Sequence, residues 1–262
     1  METSINNINV YNNNMRKSLL DKAYFLSFVD ADIFVDFGCA DGSLLKYIDE
    51  TLPTKEKQLF GYDISNDMLN IAKDNLANSI KSQLILTDNF NQILKQDFND
   101  KKSCLILSSV IHEVYSYGDN YSVNKFWEQV FSNKFDYIVI RDLMPKKSID
   151  RTSDINDVAR VLHNANSTHL SEFQSIWGQI TNNKNLVHYL MKYKWVENWN
   201  REVRENYFPI YIEDFLSKIP NNYNIDYYYE FIMPRTQQGI QKDFNILLKD
   251  TTHFKCILRQ IK

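Results

Sequence analysis

The sequence has no large excess of either charge, few cysteines and no long apolar run, and each shortage excludes a class of protein. Its 262 residues carry 33 acids and 30 bases, a net charge of −3, so binding a polyanion would need a local patch. Cys39, Cys104 and Cys256 show no ligand spacing, which favours reduced thiols in the cytoplasm. No stretch approaches the roughly 18 apolar residues that cross a bilayer, and the polar start from Met1 to Asn14 does not resemble a secretory leader.

The most informative stretch of the sequence is residues 35 to 45, where an apolar strand ending in Asp36 is followed by a glycine turn and then an amphipathic helix. Gly38 and Gly42 permit backbone torsions and a close ligand approach that a Cβ would forbid. The helix that begins near Gly42 directs its unpaired N–H groups back at the turn. Such a turn can cradle a nucleotide, although any doubly wound α/β protein needs tight strand-to-helix turns.

The next two strands also end in polar residues suited to a nucleoside. The second ends in Asp63, a position from which a carboxylate can accept both hydroxyls of a ribose. The third ends in Asp88 and Asn89, whose side chains could read an adenine edge while Phe90 covers its face. Three consecutive strands thus end in groups suited to one nucleoside.

Residues 36 to 42, Asp-Phe-Gly-Cys-Ala-Asp-Gly, resemble the first motif of class I S-adenosylmethionine-dependent methyltransferases, acid-x-Gly-x-Gly-x-Gly, with Ala40 in place of the middle glycine. The resemblance implies S-adenosyl-L-methionine as cofactor and S-adenosyl-L-homocysteine as product. It also implies an α/β fold, a doubly wound Rossmann-like seven-stranded mostly parallel sheet with an antiparallel last strand. The predicted strands are 33–37, 59–62, 83–87, 104–108, 137–140, 223–233 and 252–258.

A dinucleotide fold shares several of these features, and spacing and charge separate the two. A dinucleotide turn needs Gly-x-Gly-x-x-Gly and no carboxylate near the pyrophosphate. Here the spacing is Gly-x-x-x-Gly, with Asp36 and Asp41 beside it. Carboxylates repel a diphosphate, whereas beside a sulfonium and an amino group they are favourable or neutral. The pattern therefore favours the methyl donor.

The resemblance places the cofactor along the tips of the first four strands. Asp36, Gly38 and Gly42 would form the donor turn, and Asp63 would accept the ribose. Arg16 could pair with the carboxylate of the donor's methionine end, and a solvated helix start is an equally open interpretation of it. The implied cofactor-binding residues are Arg16, Asp36, Gly38, Cys39, Ala40, Gly42, Asp63, Ile64, Met68, Asp88, Asn89, Phe90, Ser108 and Ser109.

The candidate catalytic residues follow strands four and five. Methyl transfer needs mainly in-line alignment, and a general base only when the nucleophile carries a proton of high pKa. His112 is the candidate base at neutral pH, with Glu113 orienting it or binding a cationic substrate; equally, His112 could pack beside the donor without being essential. Arg141 and Asp142 would form an exposed charge pair that binds a polar substrate group or locks the first turn of the following segment. No metal site is predicted.

Residues 145–209 contain helical patterns without a strand, which predicts an insertion over the sheet edge. We expect an arm and helix at 1–30, a cofactor-binding core at 31–144, a helical cap at 145–209 that shapes the substrate pocket, and the rest of the core at 210–262. The cap interleaves basic and aromatic residues, which can bind RNA, but the glutamates among them favour a solvated face and a small aromatic core. This mixed set comprises Lys184, His188, Tyr189, Lys192, Tyr193, Lys194, Trp195, Trp199, Arg201, Arg204 and Tyr207.

The sequence predicts an enzyme, a cytoplasmic S-adenosylmethionine-dependent methyltransferase. Residues 109–112 lack the Asn-Pro-Pro-Tyr or Asp-Pro-Pro-Tyr of amino-directed nucleic-acid enzymes, which disfavours that chemistry. The expected acceptor is a small polar or nucleotide-like molecule, with no membrane partner. Two alternatives stay open: an RNA end or other nucleic acid as substrate, and a donor-binding regulatory module without turnover.

Overall fold

The computed structural model describes residues 18–52, 57–77, 79–132 and 134–261, so Arg16 lies outside the described residues. Its centre is one seven-stranded sheet in the order β3-β2-β1-β4-β5-β7-β6. β7 runs antiparallel to both β5 and β6, and the other neighbouring pairs are parallel. The predicted fold class is confirmed. The strands are β1 Ile33–Phe37, β2 Gln58–Tyr62, β3 Gln83–Thr87, β4 Ser103–Ser108, β5 Tyr137–Leu143, β6 Tyr223–Phe231 and β7 His253–Gln260.

The two central strands are apolar because helices cover both faces of the sheet. Every residue of β1 and of β4 is buried, as expected for parallel strands between two helical layers. Parallel pairing aligns Phe37 with Tyr62 on one side and with Leu107 on the other. The carboxyl ends of β1, β2 and β4 therefore meet at one edge, where the candidate site lies.

The helices of the core have ordinary start signals. Ser65 caps the helix Asn66–Leu76 (α3), as predicted, and its side chain accepts a hydrogen bond from the Met68 N–H at 3.3 Å; such a cap contributes about 1 kcal/mol to stability. The core helices are α1 Leu19–Lys22, α2 Ser43–Thr51, α3 Asn66–Leu76, α4 Phe90–Leu94, α5 Ile111–Tyr117, α6 Asn120–Val130 and α11 Ile212–Leu216. Each helix in the described ranges falls short of what a membrane-spanning segment requires.

The helices between β5 and α11 pack around a hydrophobic cluster of their own. It includes Phe173, Tyr189 and Trp199, and it is completed by Ile240 and Phe244 from a helix between β6 and β7. The sequence predicted no element there, although Pro234 stands at the first helical position and is a start signal. These helices are α7 Ile155–Asn164, α8 Ser167–Trp177, α9 Asn183–Lys192, α10 Trp199–Glu202 and α12 Pro234–Phe244. We call residues 145–209, together with α12, the cap.

Candidate active site

The turn after β1 is left-handed at three positions. Gly38 and Gly42 have φ values of +82° and +76°, and Ala40 has +45°. A Cβ on Gly38 would lie 2.9 Å from the Val110 side chain, and one on Gly42 would lie 2.7 Å from that of Leu76. The two glycines are therefore required by the turn and by packing against neighbouring side chains. The predicted close approach of a ligand is not needed to explain them.

Asp63, at the end of β2, ties the turn to the second strand. One carboxylate oxygen accepts from the Ala40 N–H at 2.9 Å, and the other accepts from the Ser65 N–H at 2.9 Å. Burial raises the pKa of Asp63, and these two hydrogen bonds partly offset that rise. Both oxygens keep lone pairs for a ribose. The neighbouring Ile64 is 84% exposed, an apolar side chain beside the predicted nucleoside position.

Asp36, at the end of β1, is the most buried acid of the turn, with 3% of its surface exposed. Burial raises its pKa to about 7, against the attraction of the Lys22 ammonium, and Asp63 and Asp41 raise it further. Asp41 is also buried, and it accepts from the backbone and the hydroxyl of Ser43. The turn thus concentrates negative charge and would favour a cationic ligand.

The tip of β3 differs from the expectation in one respect. Asp88 and Asn89 are exposed, and Asn89 caps α4 by accepting from the Asn91 N–H at 3.1 Å. Phe90 is only 5% exposed, and its ring packs against Phe37 at 4.8 Å between centroids. Phe90 is the first residue of α4, and its ring packs into the core beneath the strand tips. Little of the ring is therefore available to cover an adenine. Cys39 and Met68, also expected at the cofactor site, are buried as well.

At the ends of β4 and β5, a buried carboxylate organises the candidate catalytic residues. Asp142 is fully buried and accepts from the backbone N–H groups of Val110 and Ile111 at 2.8 and 2.7 Å. It also accepts from its neighbour Leu143 at 2.7 Å, and its other contact is His112 Nδ1 at 2.5 Å. The contact fixes the imidazole ring of His112 with its Nδ1–H directed at the Asp142 carboxylate. The other ring nitrogen, Nε2, makes no hydrogen bond to a described residue.

Two expectations for this region are wrong. Arg141 and Asp142 are not an exposed charge pair, because both are buried at the sheet edge. Arg141 donates to Asp21 at 2.8 Å and to the Ser109 hydroxyl at 2.7 Å, so it joins β5 to α1 and to the end of β4. The buried hydroxyl of Ser108 makes no hydrogen bond to any residue in the described ranges. Asp142, not Glu113, orients His112.

The charge on His112 depends on this pair. Burial opposes the charged imidazole, but the Asp142 carboxylate outweighs it, and the pKa of His112 is raised to about 9. Burial tends to raise the pKa of Asp142, while His112 and the backbone N–H groups lower it by more, so its pKa stays below the ordinary value. At neutral pH the pair is therefore an imidazolium beside a carboxylate.

A cavity of about 540 Å³ separates this edge of the sheet from the cap. Glu113 faces it and accepts from Arg201 of the cap at 3.0 Å; Arg201 also pairs with Glu205 at 2.7 Å. Glu205 in turn accepts from the Tyr117 hydroxyl at 2.7 Å. This chain of contacts connects α5 of the core to the cap. The lining includes Ser18, Ser109, His112, Glu113, Arg141, Tyr193, Trp195, Arg201, Glu202, Glu205, Tyr207, Met233, Arg235 and His253.

Sequence reasoning did not identify His253 or Glu205. His253 lies at the start of β7, lines the cavity and has its Nδ1 2.9 Å from the Thr252 hydroxyl. Burial and the charge of Arg141 hold its pKa well below the ordinary value, so it is neutral where His112 is charged. Its position at a strand start on the same edge as His112 was the available signal. No sequence signal identified Glu205, since alternating charge on a helix is common.

The basic and aromatic residues of the cap are only partly at the surface, where Lys194 and Arg204 are exposed. His188, Tyr189, Lys192, Trp199 and Tyr207 are all buried. The Lys192 ammonium lies 4.3 Å from the centre of the Tyr207 ring and donates to two backbone carbonyls. These side chains therefore hold the cap together, as the expected aromatic core does. The expected solvated face is wrong for Lys192, Glu202 and Glu205, which are buried.

No protein-family model and no curated protein matches the sequence. Among solved structures, an O-methyltransferase family 2 protein from Planctomyces limnophilus, in complex with apigenin, has a TM-score of 0.52 at 10% identity, over 98% of this chain and 62% of that chain. A methyltransferase described as putative, BH2331 from Bacillus halodurans, has a TM-score of 0.49 at 9% identity, over 94% and 100%. The plantazolicin methyltransferase BamL, in complex with a triazolic desmethylPZN analogue and SAH, has a TM-score of 0.47 at 12% identity, over 94% of this chain and 84% of that chain. At 10% identity the likeness to the O-methyltransferase family 2 protein shows the fold alone, which is that of class I methyltransferases.

Proposed function

We propose that this protein is an S-adenosylmethionine-dependent methyltransferase that acts on a small polar or nucleotide-like acceptor. The observation that carries the proposal is the buried pair of Asp142 and His112, because His112 lines a cavity at the same edge of the sheet from which the glycine turn leaves β1. A histidine that a buried carboxylate holds in one orientation can act as a general base at a fixed position. The fold supports the proposal and does not identify the acceptor.

The turn residues fit the proposed cofactor chemically. Bound S-adenosylmethionine supplies an activated methyl group on a cationic sulfur. Asp63 has lone pairs for two ribose hydroxyls, and the exposed side chain of Ile64 offers an apolar surface beside them. The carboxylate of Asp36 is buried and makes no hydrogen bond within the described residues. A cationic ligand would offset the free-energy cost of burying this charge. The acids of the turn are unsuited to a pyrophosphate.

On the acceptor side, His112 would take the proton. An acceptor hydroxyl or amine that lies beside Nε2 passes its proton to that atom, and Asp142 stabilises the resulting imidazolium. With a pKa of about 9, His112 is a strong base that is only fractionally unprotonated at neutral pH. A cationic donor nearby would lower this pKa and increase the unprotonated fraction.

The cavity supports a small acceptor. Its volume of about 540 Å³ falls within the range of about 300–1,000 Å³ of small-molecule sites. Its walls carry three carboxylates and four basic groups, which can pair with polar groups of a small acceptor; they belong to Glu113, Glu202, Glu205, Arg141, Lys194, Arg201 and Arg235. We further propose a cytoplasmic location, since the three cysteines are free and buried, as suits a reducing compartment.

The test is transfer of a labelled methyl group. Purified protein is incubated with methyl-labelled donor and a pool of small metabolites, and binding of S-adenosylhomocysteine is measured by calorimetry. We expect binding and a labelled small product. Binding without any transfer would support the regulatory module, and no binding of either form of the donor would contradict the proposal.

A further inference from the structure

Three glutamates in the lining of the cavity share a single guanidinium. Glu113 and Glu205 both pair with Arg201, at 3.0 and 2.7 Å. Glu202, the third glutamate, accepts from the Tyr207 hydroxyl and makes no ion pair with a described residue. This part of the lining therefore carries more negative than positive charge.

The other basic groups nearby do not correct this imbalance. Lys192 is fully buried, and its ammonium donates to the backbone carbonyls of Glu202 and Glu205 and forms no ion pair with their carboxylates. The remaining basic groups of the lining are paired with acids outside it or are exposed to water; they are Arg141 with Asp21, Lys194 with Asp243, and the exposed Arg235. The excess of carboxylate is thus confined to the buried part of the lining.

Glu202 and Glu205 each keep one carboxylate oxygen that makes no hydrogen bond to a described residue, although the two residues are only 4% and 3% exposed. The Tyr207 hydroxyl bonds to Oε2 of Glu202. Arg201 and the Tyr117 hydroxyl both bond to Oε1 of Glu205. Burying a carboxylate oxygen without a donor costs free energy, and a charged N–H group of a ligand would offset this cost.

The candidate base lies in the same cavity. The ring centre of Tyr207 is 5.7 Å from that of His112. Burial opposes the charge on His112, while Glu113 and Glu205 add to the carboxylate that raises its pKa. Burial and the charge of Glu205 also raise the pKa of Glu202 to about 7. A cation bound here would stabilise the ionised form of Glu202.

The free oxygens restrict the chemistry of such a cation. Two acceptor oxygens need two N–H donors, which a protonated primary or secondary amine supplies and a protonated tertiary amine does not. The rings of Tyr207 and Trp195 in the lining also suit an ammonium, through cation–π contact. Among the described residues, no three His, Cys, Asp or Glu side chains are grouped as metal ligands, which favours an organic cation.

We propose that the acceptor is a small primary or secondary amine, which binds as its ammonium cation to the free carboxylate oxygens of Glu202 and Glu205. The inference rests on the proposed function and narrows the class of acceptor. Sequence reasoning connected only Glu113 with a cationic substrate, and Glu113 is paired with Arg201.

The first experiment divides the pool of small metabolites by charge. The pool is passed over a cation-exchange resin at neutral pH, and the retained fraction and the flow-through are each incubated with the full chain and methyl-labelled donor. A portion of the retained fraction is first treated with the N-hydroxysuccinimide ester of acetic acid, which acylates primary and secondary amines and removes their charge. We expect a labelled product from the retained fraction, none from the flow-through, and none after acylation.

The second experiment tests the two glutamates with the amine purified from the retained fraction. Glu202→Gln should raise the acceptor KM about tenfold to hundredfold, the loss of one hydrogen bond between charged groups. Its kcat should change less, and its affinity for S-adenosylhomocysteine should equal that of the unchanged protein, which also checks its folding. The same split is expected of Glu205→Gln. Glu197→Gln, at an exposed glutamate of the cap, is the matched control.

A labelled product from the flow-through, or one that survives acylation, would overturn the inference and leave the proposed function standing. An unchanged acceptor KM in both glutamine variants would equally overturn it. The division by charge uses the unchanged protein, so it decides the class of acceptor even if neither variant folds. Absence of any labelled product from the undivided pool would instead count against the proposed function.

Discussion

His112 owes its orientation and its charge to Asp142, which follows it by 30 positions in the chain and meets it through the pairing of β4 with β5. Asp142 is itself held by the backbone N–H groups of Val110 and Ile111 at the start of α5. The same carboxylate therefore fixes the helix start and the imidazole. A substitution at Asp142 should act on the chemistry of His112 before it acts on the donor site.

Replacing Asp142 with Asn is expected to lower the rate of methyl transfer about 10²- to 10⁴-fold, the range ordinarily lost with a positioned base. The amide cannot stabilise an imidazolium, and it can favour the wrong tautomer of His112. Initial rates with the acceptor found by labelled transfer check this. Asp226→Asn, which alters an exposed pair with Arg259, is the control. Loss of S-adenosylhomocysteine binding by Asp142→Asn would instead show that the substitution disrupts the donor site.

The titration of His112 can be measured without knowing the acceptor. In the unchanged protein its ring should titrate near 9, and in Asp142→Asn the pKa should fall markedly, because burial then acts without the neighbouring carboxylate. Nuclear magnetic resonance of labelled histidines, with His112→Asn to assign the signal, gives both values. A ring that titrates near 6.5 in the unchanged protein would contradict the charged pair.

The raised pKa of His112 also makes the stability of the protein depend on pH. Since the pKa of His112 in the folded state lies above its ordinary value of 6.5, the pair stabilises the protein fully below pH 6.5 and loses this contribution as the pH rises toward 9. The free energy of unfolding of the unchanged protein, minus that of His112→Asn, should therefore decrease over this window. Denaturant unfolding at several pH values measures it, and a difference that grows with pH would have the wrong sign.

Among the elements, α12 shows most clearly how the cap depends on a distant part of the chain. Ile240 on this helix is fully buried in the cluster formed by the other cap helices. Ile240→Ala should destabilise the protein by about 2–5 kcal/mol, as large-to-small core substitutions do. Methyl transfer should fall while S-adenosylhomocysteine affinity stays within about twofold, since the turn lies outside this cluster.

The matched control for Ile240→Ala is Gln238→Ala on the same helix, because Gln238 is exposed. Thermal unfolding and calorimetry of the two variants separate the contribution of the buried side chain from that of the helix. If Ile240→Ala lost as much S-adenosylhomocysteine affinity as methyl-transfer rate, the cap and the donor turn would unfold together.

The elements that sequence reasoning predicted well are those whose residues report on neighbours close in the chain. β1, the glycine turn and the Ser65 cap follow from local patterns, and all three are found. The burial of Phe90 and Arg141 was not predicted, because it is decided by elements remote in sequence. Periodicity marks which side chains are apolar, but it does not reveal which face of the fold will cover them.

At the scale of the whole molecule, the cap is joined to the core through charged groups that face one cavity. Arg201 bridges Glu113 of the core and Glu205 of the cap, and the Tyr117 hydroxyl adds a second link to Glu205. The pocket walls are thus rich in paired charge, and the net charge of the chain is −3. A small acceptor suits this arrangement better than a nucleic acid does, because the cavity has the volume of a small-molecule site and its basic groups are interleaved with carboxylates.

The dependence of acceptor binding on salt decides between these substrates. For a small acceptor, we expect the acceptor KM to change less than about threefold between about 50 and 200 mM salt, whereas a protein with six to ten phosphate contacts loses about 10³- to 10⁵-fold in affinity over that range. Initial rates at saturating donor measure this, with S-adenosylhomocysteine affinity at both salt concentrations as the control for the donor site. A steep decline confined to the acceptor, together with inhibition by a single-stranded RNA oligomer at low salt, would favour the nucleic-acid alternative. The buried positions of Lys192 and Tyr207 argue against that result, since neither can reach a phosphate or stack on a base unless the cap unfolds.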